Sequence, residues 1–364
     1  MLTEERRARI LREIARRGKI EVTAFAETWG FSEMTIRRDL DALASEGLVR
    51  RVRGGAVPRR EGAGLLPERG TTRGTLGLIV PDAGRHFSGV IRGAGEAART
   101  AGYRLVVGSS LSSRAEESAQ LTRMLEAGID GLLFAPAVAA APESLGWEQI
   151  RGLPVPVVIV EPAPLRLPTD LRADVVQTDH RHGARIAVEH LAGNGYGRVA
   201  LFAPDPVTAL TLQRGFRCAI AELALDADVP EVAFGRHGDV PPLSGSVTAF
   251  LRHCEEAAVH AAFVGSDEAA ALMLLELQRA GSRVPDDFAM VVYGDDSAGL
   301  TGTPLSAVAL PSLAVGARAA ALCVQRLEQD LPASPAKLSL VPHLIARESS
   351  RATLARGREM LRVS

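Results

Sequence analysis

The sequence predicts an α/β protein in two parts: a small helical module closed by a hairpin, then a larger domain of two doubly wound, parallel-sheet lobes. Three observations carry this. From Thr75 onward, continuous apolar strands alternate with amphipathic helices, the pattern of a parallel sheet covered on both faces. The alternation stops and restarts after Asp179, which gives two lobes in series. Before Thr75 the pattern is different, with three short helices and a Gly-Gly turn in a basic stretch. The length of 364 residues suits two or three units. Aromatic residues are only 4% of the chain, so the core is built from Ala, Leu and Val, as in helices packed on a sheet.

The first helix starts at Thr3, an N-cap followed by Glu4 and Glu5 where the helix dipole favours acids. Ile10 and Ile14 share one face, and Gly18 stops it. A second helix covers Thr23 to Thr28, burying Phe25, Ala26 and Trp29, and Gly30 supplies the turn. Ser32 caps a third helix, Glu33 to Glu46, whose inner face is Met34 or Ile36, then Leu40 and Leu43. Leu48 to Val57 reads as two strands around Gly54-Gly55. Three short helices and a hairpin make a winged helix-turn-helix, with the third helix entering the major groove of DNA. Its outward residues near the amino end are Thr35, Arg37 and Arg38, and Arg50, Arg51 and Arg53 line the wing. Arginine there gains from phosphate charge and from bidentate contact to guanine. The plainer reading of Arg37 and Arg38 is a solvated helix face. Asp39 is expected to hold arginine side chains or the helix start rather than to read a base.

Residues 58–74 are rich in Gly, Pro and Arg, have no periodicity and read as a linker. In the larger domain, strands are expected at Leu76–Val80, Tyr103–Val107, Gly131–Ala135 and Val155–Val160, with helices at Phe87–Ala101 and Glu116–Ala127. After Asp179 come helices at Gly183–Gly193, Leu212–Leu223 and Glu268–Ala280, and strands at Val199–Phe202, Ala261–Val264 and Ala289–Val292. The first lobe is expected to span 75–178 plus 305–330, the second 179–300 plus 335–350, with a tail at 351–364. Ligands of such sheets sit beyond the carboxyl ends of the strands, which between two lobes means a cleft.

Charge divides the chain. Residues 1–60 carry 14 Lys and Arg against 9 Asp and Glu, while the remainder carries 28 against 34. A basic amino-terminal module on an acidic body points to local contact with a polyanion. Three scattered cysteines and no CxxC pair fit a reducing compartment, the cytoplasm. The amino terminus mixes Arg with Glu and has no apolar stretch of a signal peptide.

The amino-terminal pattern resembles the DeoR-type helix-turn-helix. It rests on Arg6, Ile10, Ile14, then Ser32, Thr35, Ile36, Arg37, Arg38, Asp39 and Leu40, with the wing Val52-Arg53-Gly54-Gly55-Ala56, over residues 1–57 without a gap. Residues 75–350 resemble the LacI-type sensor, itself similar to periplasmic sugar-binding proteins. The segments, in family order, are Gly77 to Asp82, His86-Phe87, Ile91 to Gly93, Ala101 to Tyr103, Gly128 to Gly131, Asp179 with Gly183-Ala184, Gly215-Phe216, Phe263 to Asp267, Val284 to Asp287 and Asp295 to Ser297. The resemblance implies a two-lobed periplasmic-binding-protein-like fold whose ligand positions are His86, Phe87, Asp179, Phe263, Ser266, Asp267 and Asp295. Aspartates suit a sugar because one carboxylate accepts two hydroxyls. The plainer readings are a core position for Phe87 or Phe263 and a helix cap for Asp295. The sequence departs from the family at Leu212, where an Arg usually stands three residues before the glycine, and at Tyr293-Gly294, which reverses the usual order.

Other constellations fail on context. Gly93 to Ala98 fits GxGxxA but lies inside a helix, not at a strand-to-helix turn. His180 and His182 are two apart and diverge on a helix, and His253-Cys254-Glu255 has no partner at metal spacing. No GxSxG elbow or Walker loop occurs, so no catalytic group, cofactor or metal is nominated. The expectation is a DNA-binding repressor, a cytoplasmic homodimer on an operator, controlled by a carbohydrate effector. The alternative is an enzyme of sugar-phosphate isomerase or kinase type with an appended DNA-binding module.

Overall fold

The computed structural model describes residues 6–7, 10, 20–29, 31–45, 49–52, 54–58, 72–82, 84–136, 145–161, 171–204, 207–234, 243–329 and 334–351. The chain divides into two compact units, Met1–Thr71 and Thr72–Ser364.

In the first unit, strand β1 (Ile20–Glu21) runs into helix α1 (Val22–Trp29), followed by helix α2 (Glu33–Ser45). The hairpin is β2 (Val49–Val52) and β3 (Gly55–Pro58), and β1 adds on the other side of β3, giving the antiparallel order β1-β3-β2. Gly54 has φ +84, so the turn needs a residue without a Cβ. Ile36, Leu40 and Leu43 recur at i, i+4 and i+7, and all are buried with Phe25, Ala26, Val49 and Ala56. Ile36 is thus the inner residue, while Met34 is 58% exposed. The first helix of the reading falls outside the described residues except at Arg6, Arg7 and Ile10, where the backbone is helical. The side chain of Trp29, expected to be buried, lies outside the described residues as well.

The second unit holds two six-stranded sheets. The first-lobe sheet uses β4 (Gly74–Val80), β5 (Tyr103–Ser109), β6 (Gly131–Phe134), β7 (Val157–Val160), β8 (Asp174–Thr178) and β14 (Lys337–Leu340) in the order β14-β8-β7-β6-β4-β5. All its neighbours pair in parallel. Alternate residues face opposite layers, as strand geometry requires. Leu78, Leu133, Val158 and Val176 pack under helices α3 (Arg85–Thr100) and α10 (Ser312–Glu328), and Ile79, Leu132, Phe134 and Ile159 pack under α4 (Arg114–Glu126) and α5 (Leu145–Ile150). Helices α3 and α10 lie almost backbone to backbone. A Cβ on Gly93 would stand 2.0 Å from the carbonyl oxygen of Leu313, and one on Gly316 2.0 Å from that of Val90. Gly93 therefore serves close helix packing.

The second-lobe sheet takes β9 (Ala200–Pro204), β10 (Glu231–Phe234), β11 (Ala261–Val264), β12 (Ala289–Tyr293), β13 (Ser306–Ala309) and β15 (His343–Ile345), ordered β10-β9-β11-β12-β13-β15. Only β15 is antiparallel to its neighbour. Helices α6 (His180–Gly193) and α7 (Val207–Glu222) cover one face, and α8 (Leu243–Glu256) and α9 (Asp267–Arg279) the other.

The expected lobe boundaries need correcting at the carboxyl-terminal part. Residues 306–309 extend the second-lobe sheet beside β12, while 337–340 extend the first-lobe sheet beside β8. The chain crosses between lobes three times, at Asp179, between Ala309 and Ser312, and between Leu340 and His343. Asp295 lies at the end of a strand and not at a crossing. No helix among the described residues is long and apolar enough to cross a membrane.

Candidate functional site

The two units carry two sites. In the first, the sequence around Ser32 builds the start of α2. The N–H of Thr35 donates to the Ser32 hydroxyl at 3.2 Å, the two hydroxyls lie 2.8 Å apart, and Glu33 adds an acid to the first turn. With Ile36 and Leu40 turned inward, Arg37 and Arg38 are exposed and Thr35 is partly so. Arg37 pairs with Glu33 at 2.8 Å across one exposed turn, a bond worth only about 0.3–0.5 kcal/mol that a phosphate outbids.

Asp39 is buried beneath this face. Its carboxylate accepts from Arg6 and lies 3.4 Å from Arg7, while the Arg6 guanidinium stands 5.6 Å over the ring of Phe31. The hydrogen bond to Asp39 pushes the Arg6 pKa up. Asp39 thus ties the amino-terminal segment to α2, one of the two roles its sequence context suggested. Arg50 and Arg51 sit in β2 opposite Val57 and Ala56. Their side chains, and the whole of Arg53, lie outside the described residues.

The second site is where strands of both lobes end. Asp179, at the first crossing, caps α6 by accepting the N–H of His182 at 3.0 Å. Ser266, just past β11, caps α9 through the N–H of Ala269 at 3.2 Å. Asp267 accepts the N–H of Ser297 at 2.7 Å and its hydroxyl at 3.0 Å through one oxygen. Its other oxygen, Oδ1, is buried with no hydrogen-bond partner among the described residues. Asp295 receives both arms of Arg347, at 2.6 and 2.9 Å, and Arg347 also donates to the Leu305 carbonyl at 2.7 Å. That carboxylate, first among its neighbours, raises the Arg347 pKa. The cap reading of Asp295 is replaced by this bidentate pair.

The aromatic positions are placed differently. Phe87 is buried in the first-lobe core beside Val80 and Val90. Phe263, in β11, is fully buried and meets the ring of Tyr293 edge-on at 5.9 Å. Neither offers an open face to stack on a sugar. His86 stands in the first turn of α3, and its side chain lies outside the described residues. Leu212 is fully buried with Phe216, one turn on, while Gly215 between them brings α7 against the backbone of Arg181. An arginine at 212 would bury a charge in this core, so the departure from the family pattern is built into the packing.

Sequence reasoning missed one part of the site. Glu161, directly after β7, is buried, and accepts the N–H of Thr178 at 2.6 Å and that residue's hydroxyl. Its other oxygen is 2.9 Å from Nε2 of His180, whose Nδ1 meets the hydroxyl of Tyr293. In the sequence His180 reads only as half of a failed metal pair with His182. The reversed Tyr293-Gly294 was the one signal that this corner differs. Among the described residues no three His, Cys, Asp or Glu side chains gather as a metal site. Cys254 and Cys323 are buried thiols pushed up to about 12.

The comparisons agree with this division. Residues 6–60 match the DeoR-like helix-turn-helix domain and residues 188–350 the periplasmic binding protein-like domain. Over 340 residues the chain is 26% identical to the arabinose metabolism transcriptional repressor of Geobacillus stearothermophilus, covering 90% of this chain and 89% of that one. It is 29% identical over 286 residues to the transcriptional repressor CytR of Escherichia coli K12, covering 76% and 80%. Among solved structures, the complex of the regulator CelR with cellobiose superposes with a TM-score of 0.65 at 24% identity, over 87% of this chain and 91% of that one. These relatives are named as regulators and lend nothing to the isomerase or kinase alternative. The chain is therefore a DNA-binding transcriptional regulator that joins a DeoR-like helix-turn-helix domain over residues 6–60 to a periplasmic binding protein-like domain over residues 188–350.

Proposed function

We propose that the protein is a cytoplasmic repressor that binds its operator as a homodimer and is controlled by a small carbohydrate held between the lobes. The observation that carries the effector reading is the set of carboxylates and hydroxyls that follow the carboxyl ends of β8, β11 and β12: Asp179, Ser266, Asp267 and Asp295. The buried, unpartnered Oδ1 of Asp267 demands a donor, and a sugar hydroxyl is a donor of the right kind. A relative named for arabinose metabolism and a neighbour solved with cellobiose support a carbohydrate. On the DNA side, Thr35, Arg37 and Arg38 would read the major groove while Arg50, Arg51 and Arg53 follow the backbone at the wing.

The effector must prefer one arrangement of the lobes and the operator the other, since binding energy shifts an equilibrium only through such a difference. A thermal-shift screen against pentoses, hexoses, disaccharides, sugar phosphates and nucleosides tests the reading. At least one neutral carbohydrate should raise the melting temperature in a saturable way. Stabilisation by nucleosides alone, or turnover of the added compound, would contradict it.

A further inference from the structure

Four buried polar side chains meet where the chain first passes from one lobe to the other. Glu161 ends a first-lobe strand and is 1% exposed. Thr178, the last residue of β8, gives both its N–H and its hydroxyl to Glu161 Oε1. His180 opens α6 on the second-lobe side and is 4% exposed. Its Nε2 stands 2.9 Å from Glu161 Oε2, and its Nδ1 bonds the hydroxyl of Tyr293 at the end of second-lobe strand β12. One imidazole thus joins a strand end of the first lobe to a strand end of the second.

The two contacts differ in kind: Nδ1 hydrogen-bonds the tyrosine hydroxyl, while Nε2 and Glu161 Oε2 stand 2.9 Å apart as a close polar contact without hydrogen-bond geometry. Burial, then the charges of Glu161 and Asp179, push the Tyr293 pKa well above its ordinary value, so the hydroxyl keeps the proton it donates. The backbone is shaped to seat the ring. Gly183 leaves room that a Cβ would close, at 2.8 Å from Tyr293 Cε2 and 3.3 Å from Pro342 at the third crossing. Gly294 takes φ +109, a conformation that strains a tyrosine. The Tyr293-Gly294 order is therefore the one that puts the ring toward His180 and the glycine in the turn.

We propose that His180 is a positioning residue that pins the angle between the two lobes, acting through Glu161 and Tyr293 and not by touching an effector. The inference rests on the two-lobed fold and is independent of which effector binds. It predicts one dominant lobe angle in the ligand-free protein and several when the pin is cut.

The test uses the full chain with Cys218→Ser, which removes the exposed thiol and leaves Cys254 and Cys323 buried. Spin labels go on Arg99→Cys in α3 and Arg252→Cys in α8, both exposed and in different lobes. Double electron–electron resonance without ligand, on doubly labelled chain diluted into excess unlabelled chain so that distances within one protomer dominate, should give a single narrow distance distribution. Tyr293→Phe, which keeps the ring and deletes only the hydroxyl, should broaden it about twofold with unchanged circular dichroism. If Tyr293→Phe does not fold, His180→Gln, whose one amide cannot reach both partners, is measured and should broaden likewise. The same narrow distribution in the variant overturns the proposal. A broad distribution in the parent, or failure of both variants to fold, overturns it as well. The readout needs neither DNA nor effector, so its failure leaves the regulator reading standing, and loss of operator binding would leave the pin standing.

Discussion

At the scale of single residues, the division of labour on α2 follows from helix geometry. Ile36 and Leu40 fix which side faces the core, and that places Arg37 and Arg38 outward while Asp39 turns to Arg6 and Arg7. Replacing Arg37 or Arg38 by Ala should cost about 1–3 kcal/mol of specific DNA binding where the side chain reads a base. A phosphate contact alone would weaken all sequences equally and reduce the salt slope by about one. Gel shifts at several salt concentrations separate the two, and full specific binding by the double variant would refute the assignment. In the cleft, the Asp295–Arg347 pair changes how its test is designed. Asp295→Ala would strand a partly buried guanidinium and cost stability along with any affinity. Asp295→Asn keeps the shape and one acceptor for Arg347 but removes the charge of that pair, so its denaturation midpoint is measured alongside; it should weaken binding of the screened carbohydrate about tenfold, while operator affinity stays near the parent's. Calorimetry and gel shift read these two quantities. The role of Asp39 was legible because its arginine partners belong to the same local pattern. The Glu161–His180–Tyr293 cluster was not, because the hydrogen bond between the Tyr293 hydroxyl and His180 joins residues 113 positions apart.

At the scale of elements, legibility tracked the contrast between apolar runs and their flanks. Strands such as Leu76–Val80 and Ala261–Val264 and helices such as α3 and α9 stood out because whole turns or runs are buried. Strands β13 (SAVA) and β14 (KLSL) do not: one is made of small residues, and the other is mostly exposed and recruited by β8, far away in sequence. Helix α10 does not stand out although its buried positions Val315, Ala319 and Cys323 recur at helical spacing, because most of its buried residues are small. That face has a measurable role. Gly316→Val would place a Cβ 2.0 Å from the Val90 carbonyl oxygen, and neither backbone can give way without opening the first lobe. The variant should lose more than about 4 kcal/mol of stability or fail to fold. A denaturant midpoint equal to the parent's would show that the two helices are not packed as described.

At the scale of the whole molecule, a basic module on an acidic body localises DNA contact to one end of the chain. One winged helix covers only a half-site, so a dimer and an inverted-repeat operator are expected, with half-site centres about 10 base pairs, or a multiple, apart. Light scattering should return twice the chain mass of 38.5 kDa; a monomer at tens of micromolar (roughly a thousandfold above typical specific operator affinities) would argue against pairing in the absence of DNA. The central claim is that a small carbohydrate in the cleft governs operator binding at the other unit, and fluorescence anisotropy tests it most directly. The full-length protein is titrated onto labelled operator at fixed salt, with and without each carbohydrate that stabilises it. One of them should shift the operator dissociation constant at least about fivefold, the lower range of allosteric coupling, and the shift should shrink in Asp295→Asn. Operator affinity unchanged by every carbohydrate that demonstrably binds would contradict the claim.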